Sequence, residues 1–212
     1  SSMQVFPSVL RFFQEGGPFM YPLLIVMVIG LAIAAERWLY LKRARSENRQ
    51  LWARMLPLLN QGDYSGAEQL ATDSQTAIGR VLGYGLSRSK TAANRAEVEM
   101  AMEESLMEVT PLLERRTHYL ATFANIATLM GLLGTIIGLI QGFTAVANVN
   151  PAEKADLLSA SISVAMNTTA FGLIVAIPLL LLHAVLQSTA NDLIDSVEMA
   201  AIKFLNSFGF KH

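Results

Sequence analysis

Hydroxyls and one carboxamide, set in apolar surroundings, are the groups in this chain best placed to do chemistry. They are Thr135 in one uncharged stretch and Asn167, Thr168 and Thr169 in another. Such groups donate and accept hydrogen bonds but do not titrate near neutral pH. They can hold or hydrate an ionisable group and cannot themselves take a proton on and off. No Asp, Glu, Lys or Arg falls within either stretch, so a proton relay there needs a carboxylate brought by another polypeptide. Other chemistries find few residues. The absence of Cys excludes a thiol nucleophile, a disulfide framework and any Cys-ligated metal. His118, His183 and His212 are too widely separated to suggest a multi-histidine centre, and His183 reads as an interfacial group. No cofactor is expected beyond a coupling ion, H⁺ or Na⁺.

The elements that must position these groups are legible from where charge is missing. Only 16% of the 212 residues are charged, 52% are hydrophobic and the formal net charge is -1. That balance argues against a nucleic-acid binder relying on bulk charge. Charged side chains vanish from residues 16–35, 117–152 and 157–191. Each stretch reaches the roughly 20 residues that a helix needs to cross ~30 Å of hydrocarbon. The reading is an all-α membrane protein in a lipid bilayer, with transmembrane helices at 19–41, 119–147 and 157–186. Arg37, Lys42, Arg43 and Arg45 follow the first apolar run, and Arg115 and Arg116 precede the second. Clustered Lys and Arg at a span's end favour the cytoplasmic side. The N-terminus is therefore expected outside. Residues 42–118 form a cytoplasmic helical region, 148–156 an external loop, and 187–212, with Lys203 and Lys211, a cytoplasmic tail. Residues 1–18, with Val5, Phe6, Val9, Leu10, Phe12 and Phe13, predict an external interfacial helix.

Within the cytoplasmic region, Gln61-Gly62 marks a turn into a short helix, and the glycine-rich run GRVLGYGLSRSK a second one. From Arg95 to Arg116, Val98, Met102, Leu106, Val109 and Leu113 recur at helical spacing. Glu97, Glu99, Glu103, Glu104 and Glu108 lie on the other face, as a solvated surface or a docking surface. Pro111 predicts a kink or restart.

Gly131, Thr135, Gly138, Gly142 and Ala145 trace one small-residue stripe, with Gly134, Gly138 and Gly142 as a doubled GxxxG. Ser161, Ala165, Thr169, Gly172 and Ala176 trace another. Small stripes let helices approach closely in lipid. They suit plain packing, or a passage between or beside the helices. Counted from the external ends of their spans, Thr135 and Thr169 fall at one depth, about 18 to 20 Å down. Either threonine alone can be satisfied by a carbonyl of its own helix; two at one level suggest function.

On these residues the sequence resembles the ExbB/TolQ/MotA family, through PLLIVMVIGLAIAAER, VEMAMEESLMEVTPLLERR, ANIATLMGLLGTIIGLIQGF and TTAFGLIVAIP, in the order and topology of that family. It is more similar to ExbB and TolQ than to MotA. The resemblance implies a homopentameric ring in the bacterial inner membrane, with N-termini periplasmic and C-termini cytoplasmic. Long cytoplasmic helical extensions are implied too, with the second and third spans lining a pore. A single-span ExbD/TolR-like partner would bring a membrane Asp, and a TonB- or TolA-like protein would carry work outward. Family pore threonines map onto Thr135 and Thr169, with Asn167 and Thr168 in support. Val164 stands where ExbB and TolQ usually carry Glu, so no carboxylate is supplied there by this subunit. The implied function is a proton-motive-force-driven motor subunit, not an enzyme, for TonB-dependent transport. Readings left open are a TolQ-like role in envelope integrity or division, a flagellar or gliding-type stator, a self-sufficient channel, and a structural scaffold whose glycines only pack.

Overall fold

A computed structural model describes residues 2–208; Lys211 and His212 lie outside them. The described residues are helical throughout their ordered elements. These are α1 (Ser2–Glu15), α2 (Met20–Asn60), α3 (Tyr64–Asp73), α4 (Ala77–Ser89), α5 (Arg95–Glu114), α6 (Thr117–Val146) and α7 (Pro151–Ser207). Three runs, Met20–Asn60, Arg95–Val146 and Pro151–Ser207, are long and apolar enough to cross a membrane. The chain divides into two compact units, one of residues up to 35 with 117–184, the other of 36–116 with 185 onward.

In the first unit, α6 and α7 approach as closely as two helices can. A Cβ on Gly172 would lie 2.7 Å from the Ala127 carbonyl oxygen and 3.1 Å from Gly131 Cα. One on Gly131 would meet Thr169 Cα at 3.3 Å. The register continues outward: Gly138 faces Ala165, and Gly142 faces Ser161. Gly134 is filled by the Thr168 methyl. The two small-residue stripes foreseen from sequence thus close on each other. Because backbone meets backbone there, no passage runs between them. Two further contacts complete the unit. Gly30 of α2 lies under Leu179, where an added Cβ would come within 2.6 Å of a leucine methyl. Phe13 packs edge to face on Phe171 and Tyr21, with ring centroids 5.9 and 5.2 Å apart. These rings tie down the C-terminal end of α1, and Gly17 turns the chain into α2 at φ 79°, a conformation glycine adopts without steric cost. Val5, Phe6 and Val9 of α1 stay exposed.

α7 starts at Pro151, six residues before the expected start of the third span, and only 147–150 separate it from α6. Pro is favoured at a first helical position, where its missing N–H is not needed. Glu153 in the first turn complements the helix dipole.

The second unit has a conventional core. Leu51, Met55, Leu82, Met102, Val197 and Phe204 are among its buried members. Side-chain caps start its helices: Asp63, Thr76 and Asn94 accept the N–H of Gly66, Gly79 and Glu97. In α5 the buried face is Val98, Met102, Val109 and Leu113, while Glu99, Glu103, Glu104 and Glu108 are exposed. The helix does not break at Pro111. That residue lies on the exposed face, where water can replace the lost donor to the Met107 carbonyl. The break comes at Arg115–Arg116, with Arg116 at φ 62°.

Arg37 explains how that break is held. It is 1% exposed, and its guanidinium donates to the Leu112 and Leu113 carbonyls at 2.9 and 3.0 Å. Those are orphan acceptors at the end of α5. Glu36 bridges Arg37 at 3.5 Å and Arg116 at 2.7 Å. From sequence these charges read only as topology and interface signals.

Phe204→Ala removes a fully buried ring, and a loss of about 3–5 kcal/mol is expected, read as a lowered thermal midpoint in detergent. Gly172→Val places methyls against a carbonyl that cannot yield, and it should abolish the monodisperse species on size exclusion. A Gly172→Val protein with the parent's midpoint would contradict the backbone contact.

Candidate ion-pathway site

The glycine contacts set the geometry of the hydroxyls. Thr135 lies one helical turn beyond Gly131 on α6, and Thr169 sits three residues before Gly172 on α7. With the backbones touching, the two side chains have nowhere to go but towards one another. Their Oγ1 atoms are hydrogen-bonded to each other. The Thr135 hydroxyl is also within bonding distance of the Gly131 carbonyl of its own helix, at 3.2 Å, and of the Ala165 carbonyl across the pair, at 3.1 Å. The Thr169 hydroxyl reaches the Gly131 carbonyl at 3.1 Å. Both threonines are half-buried in the chain.

Two hydroxyls hold two protons. One serves the contact between them, and the other is free to point at a carbonyl or at another acceptor. Each carbonyl in reach already has the geometry of a helix acceptor, so losing the hydroxyl does not orphan it. The pair can therefore redirect one hydrogen bond at small cost. A carboxylate is the acceptor that gains most, because charge-assisted bonds are roughly twice as strong as neutral ones.

The other residues singled out from sequence fall around the pair in different roles. Thr168 is 2% exposed and donates to the Gly16 carbonyl at 2.5 Å, with the Val164 carbonyl at 3.1 Å as its local alternative. It fastens the α1–α2 junction to α7 and does not join the hydroxyl pair. Asn167 is half-buried and makes no side-chain hydrogen bond among the described residues. Val164 packs beneath Gly17, whose Cβ would lie 3.2 Å from a valine methyl. Gly131, Gly134, Gly138, Gly142 and Gly172 serve the approach of the helices, as described above. The depth count placed Thr135 and Thr169 level from assumed span ends. In the structure Thr169 lies deeper along its helix, since α7 begins at Pro151, yet the hydroxyls still meet because the glycine register aligns them. The Gly131 carbonyl under Thr135 is the own-helix acceptor expected from sequence; the acceptors across elements, Ala165 for Thr135, Gly131 for Thr169 and Gly16 for Thr168, were not foreseen. Backbone acceptors leave no residue-type signal in a sequence.

Residues 73–199 match the model of the MotA/TolQ/ExbB proton channel family, a range that contains the whole hydroxyl pair and its glycines. The chain is 30% identical over 207 residues to a biopolymer transport protein ExbB homolog of Methanothermobacter thermautotrophicus, covering 97% of this chain and 71% of that protein. It is 32% identical over 196 residues to the biopolymer transport protein ExbB-like 1 of Synechocystis sp., covering 89% and 74%. The Tol-Pal system protein TolQ of Haemophilus influenzae is 27% identical over 146 residues, covering 69% of this chain and 55% of TolQ. The matching region takes in the acid-free stretches 117–152 and 157–191 with the threonine couple, and the two ExbB relatives align over 97% and 89% of this chain: this chain belongs to the MotA/TolQ/ExbB proton channel family.

Proposed function

We propose that this chain is a subunit of a proton-motive-force-driven motor of the bacterial inner membrane that energises TonB-dependent transport across the outer membrane. In this reading five copies form a ring, with α6 and α7 lining its lumen. An ExbD/TolR-like single-span partner stands inside and presents a membrane Asp, and a TonB-like protein carries the work outward. The observation that carries the reading is the Thr135–Thr169 couple in the acid-free stretches 117–152 and 157–191. It is a hydrogen-bond donor set waiting for a titrating group that the subunit lacks.

The mechanism follows from the hydroxyl inventory. When the partner's Asp is ionised, the hydroxyl free of the mutual contact turns from a carbonyl to the carboxylate and stabilises it at membrane depth, where an unpaired charge is costly. When a proton arrives from the side of higher potential, the carboxyl is neutral and can satisfy itself as a donor. The hydroxyl then returns to its carbonyl and the partner helix is released to move to the next subunit. One charge moved through 100 mV supplies about 2.3 kcal/mol. That matches the exchange of one or two hydrogen bonds between neighbouring arrangements, and it is far too little to disturb the backbone contact at Gly131 and Gly172.

The TolQ likeness supports a second reading, with the same ring and relay serving a TolA-like protein in envelope integrity. The two separate by complementation. A strain lacking its TonB-system motor should regain iron-siderophore uptake with this chain and its partner, while one lacking the Tol motor should not lose its detergent sensitivity.

Thr169→Val keeps the volume of the side chain and removes its hydroxyl. The oligomer should assemble normally, and gradient-dependent uptake should fall to the background of a strain without the protein; normal uptake in that variant would exclude the relay. The orientation is testable because the chain has no Cys of its own. In intact spheroplasts Lys154→Cys should react with a membrane-impermeant maleimide, and Glu99→Cys only after permeabilisation. The reverse pattern would invert the topology.

A further inference from the structure

Beside the core of the second unit, α2 and α7 enclose a cleft of ≈ 310 Å³ whose lining includes Arg45, Arg49, Trp52, Lys203 and Asn48. Its charges are out of balance. Arg45 and Arg49 stand four residues apart on one helix, a spacing at which like charges repel, and Lys203 of α7 adds a third cation. None of the three forms an ion pair or a side-chain hydrogen bond among the described residues. Asp192 also lines the cleft, leaving an excess of positive charge. The contrast with Arg43 is direct, since that residue on the same helix is answered by Glu47 at 3.0 Å.

A second, independent observation concerns a residue in the wall of the same cleft. Asn48 is 2% exposed. Its Oδ1 accepts the Ile78 N–H at 3.3 Å, which fixes the amide orientation and turns Nδ2 away as a donor. That Nδ2 is buried with no partner. A buried donor left unpaired costs about 1–3 kcal/mol, and an anion's oxygen is an acceptor that relieves it while answering the three cations. Asn48 also borders a larger cleft of ≈ 790 Å³. Its three cations, Arg43, Arg54 and Arg80, face two acids, Glu47 and Asp73, with Arg43 already paired to Glu47, whereas the α2–α7 cleft sets three cations against Asp192 alone, so an anion is favoured less in the larger cleft.

We propose that the α2–α7 cleft binds a phosphoryl anion, held by Arg45, Arg49 and Lys203, with Asn48 Nδ2 donating to one of its oxygens. Guanidinium forks match phosphate geometry, and the flat ring of Trp52 closes the apolar side. The anion is either the headgroup of an anionic phospholipid or a soluble phosphate, and the experiment separates the sources.

The chain has two tryptophans, so the full-length Trp38→Phe protein leaves Trp52 as sole reporter. In detergent, inorganic phosphate is titrated against chloride at matched ionic strength while Trp52 emission is followed. In nanodiscs, phosphatidylglycerol is compared with phosphatidylcholine by the same signal. A saturable response in either arm is expected, phosphatidylglycerol alone identifying a lipid headgroup and phosphate alone a soluble anion. Arg49→Gln with Lys203→Gln should weaken it at least about tenfold, one charge-assisted bond's worth. Asn48→Leu should also weaken it, whereas Arg43→Gln with Arg54→Gln should not. Arg49 and Lys203 are exposed, so their loss leaves the core intact, which the thermal midpoint verifies. No saturable response in both arms, or one unchanged in the Arg49/Lys203 variant, overturns the site. Neither arm depends on ion coupling, so failure of the motor reading leaves this result standing and the reverse holds as well.

Discussion

Everything in the membrane-type unit depends on how near α6 and α7 can come. Lipid gives two apolar helices no hydrophobic reason to associate, so their contact rests on packing and on hydrogen bonds that only short distances permit. Gly131 and Gly172 supply the distance by leaving out the Cβ that would strike a backbone atom. The hydroxyl contact between Thr135 and Thr169 is a consequence of that approach. The same two threonines on helices separated by one methyl group would each fold back on a local carbonyl and never meet.

The other unit is built on different physics. There α3, α4 and α5 are individually capped and pack with the ends of α2 and α7 around an ordinary buried core of Met55, Leu82, Met102 and Phe204, with burial in water as the driving force. Charge is used structurally there. Arg37 is buried to satisfy the carbonyls that end α5, and Glu36 couples it to the left-handed Arg116 that turns the chain towards α6. The chain thus combines two regimes, one in which glycine is essential and large side chains are passengers, and one in which the reverse is true.

Much of this was legible in the sequence because membranes impose a coarse grammar. Absent charge marked the three apolar runs, and residue size marked the faces on which α6 and α7 meet. The periodicity of Val98, Met102, Val109 and Leu113 marked the buried side of α5. What escaped were relations carried by atoms common to all residues. The Gly16 carbonyl that binds Thr168 has no letter of its own, and neither has the Ala165 carbonyl under Thr135. The capping role of Arg37 escaped for a related reason, since an arginine at a span's end looks the same whether it faces phosphate or caps a helix. Of the kink or restart expected at Pro111, no restart occurs there, because the residue sits inside α5 on a face where solvent compensates for it.

The mutual satisfaction of Thr135 and Thr169 has an electrical side. Hydroxyls that already answer one another hold no vacancy that would draw a file of water into the bilayer. On the proposed reading the helix pair standing alone is then an insulator, unable to discharge the voltage across it. In the motor proposed above, conduction would begin only with the partner's acid, so a copy made ahead of its companion would not short-circuit the cell.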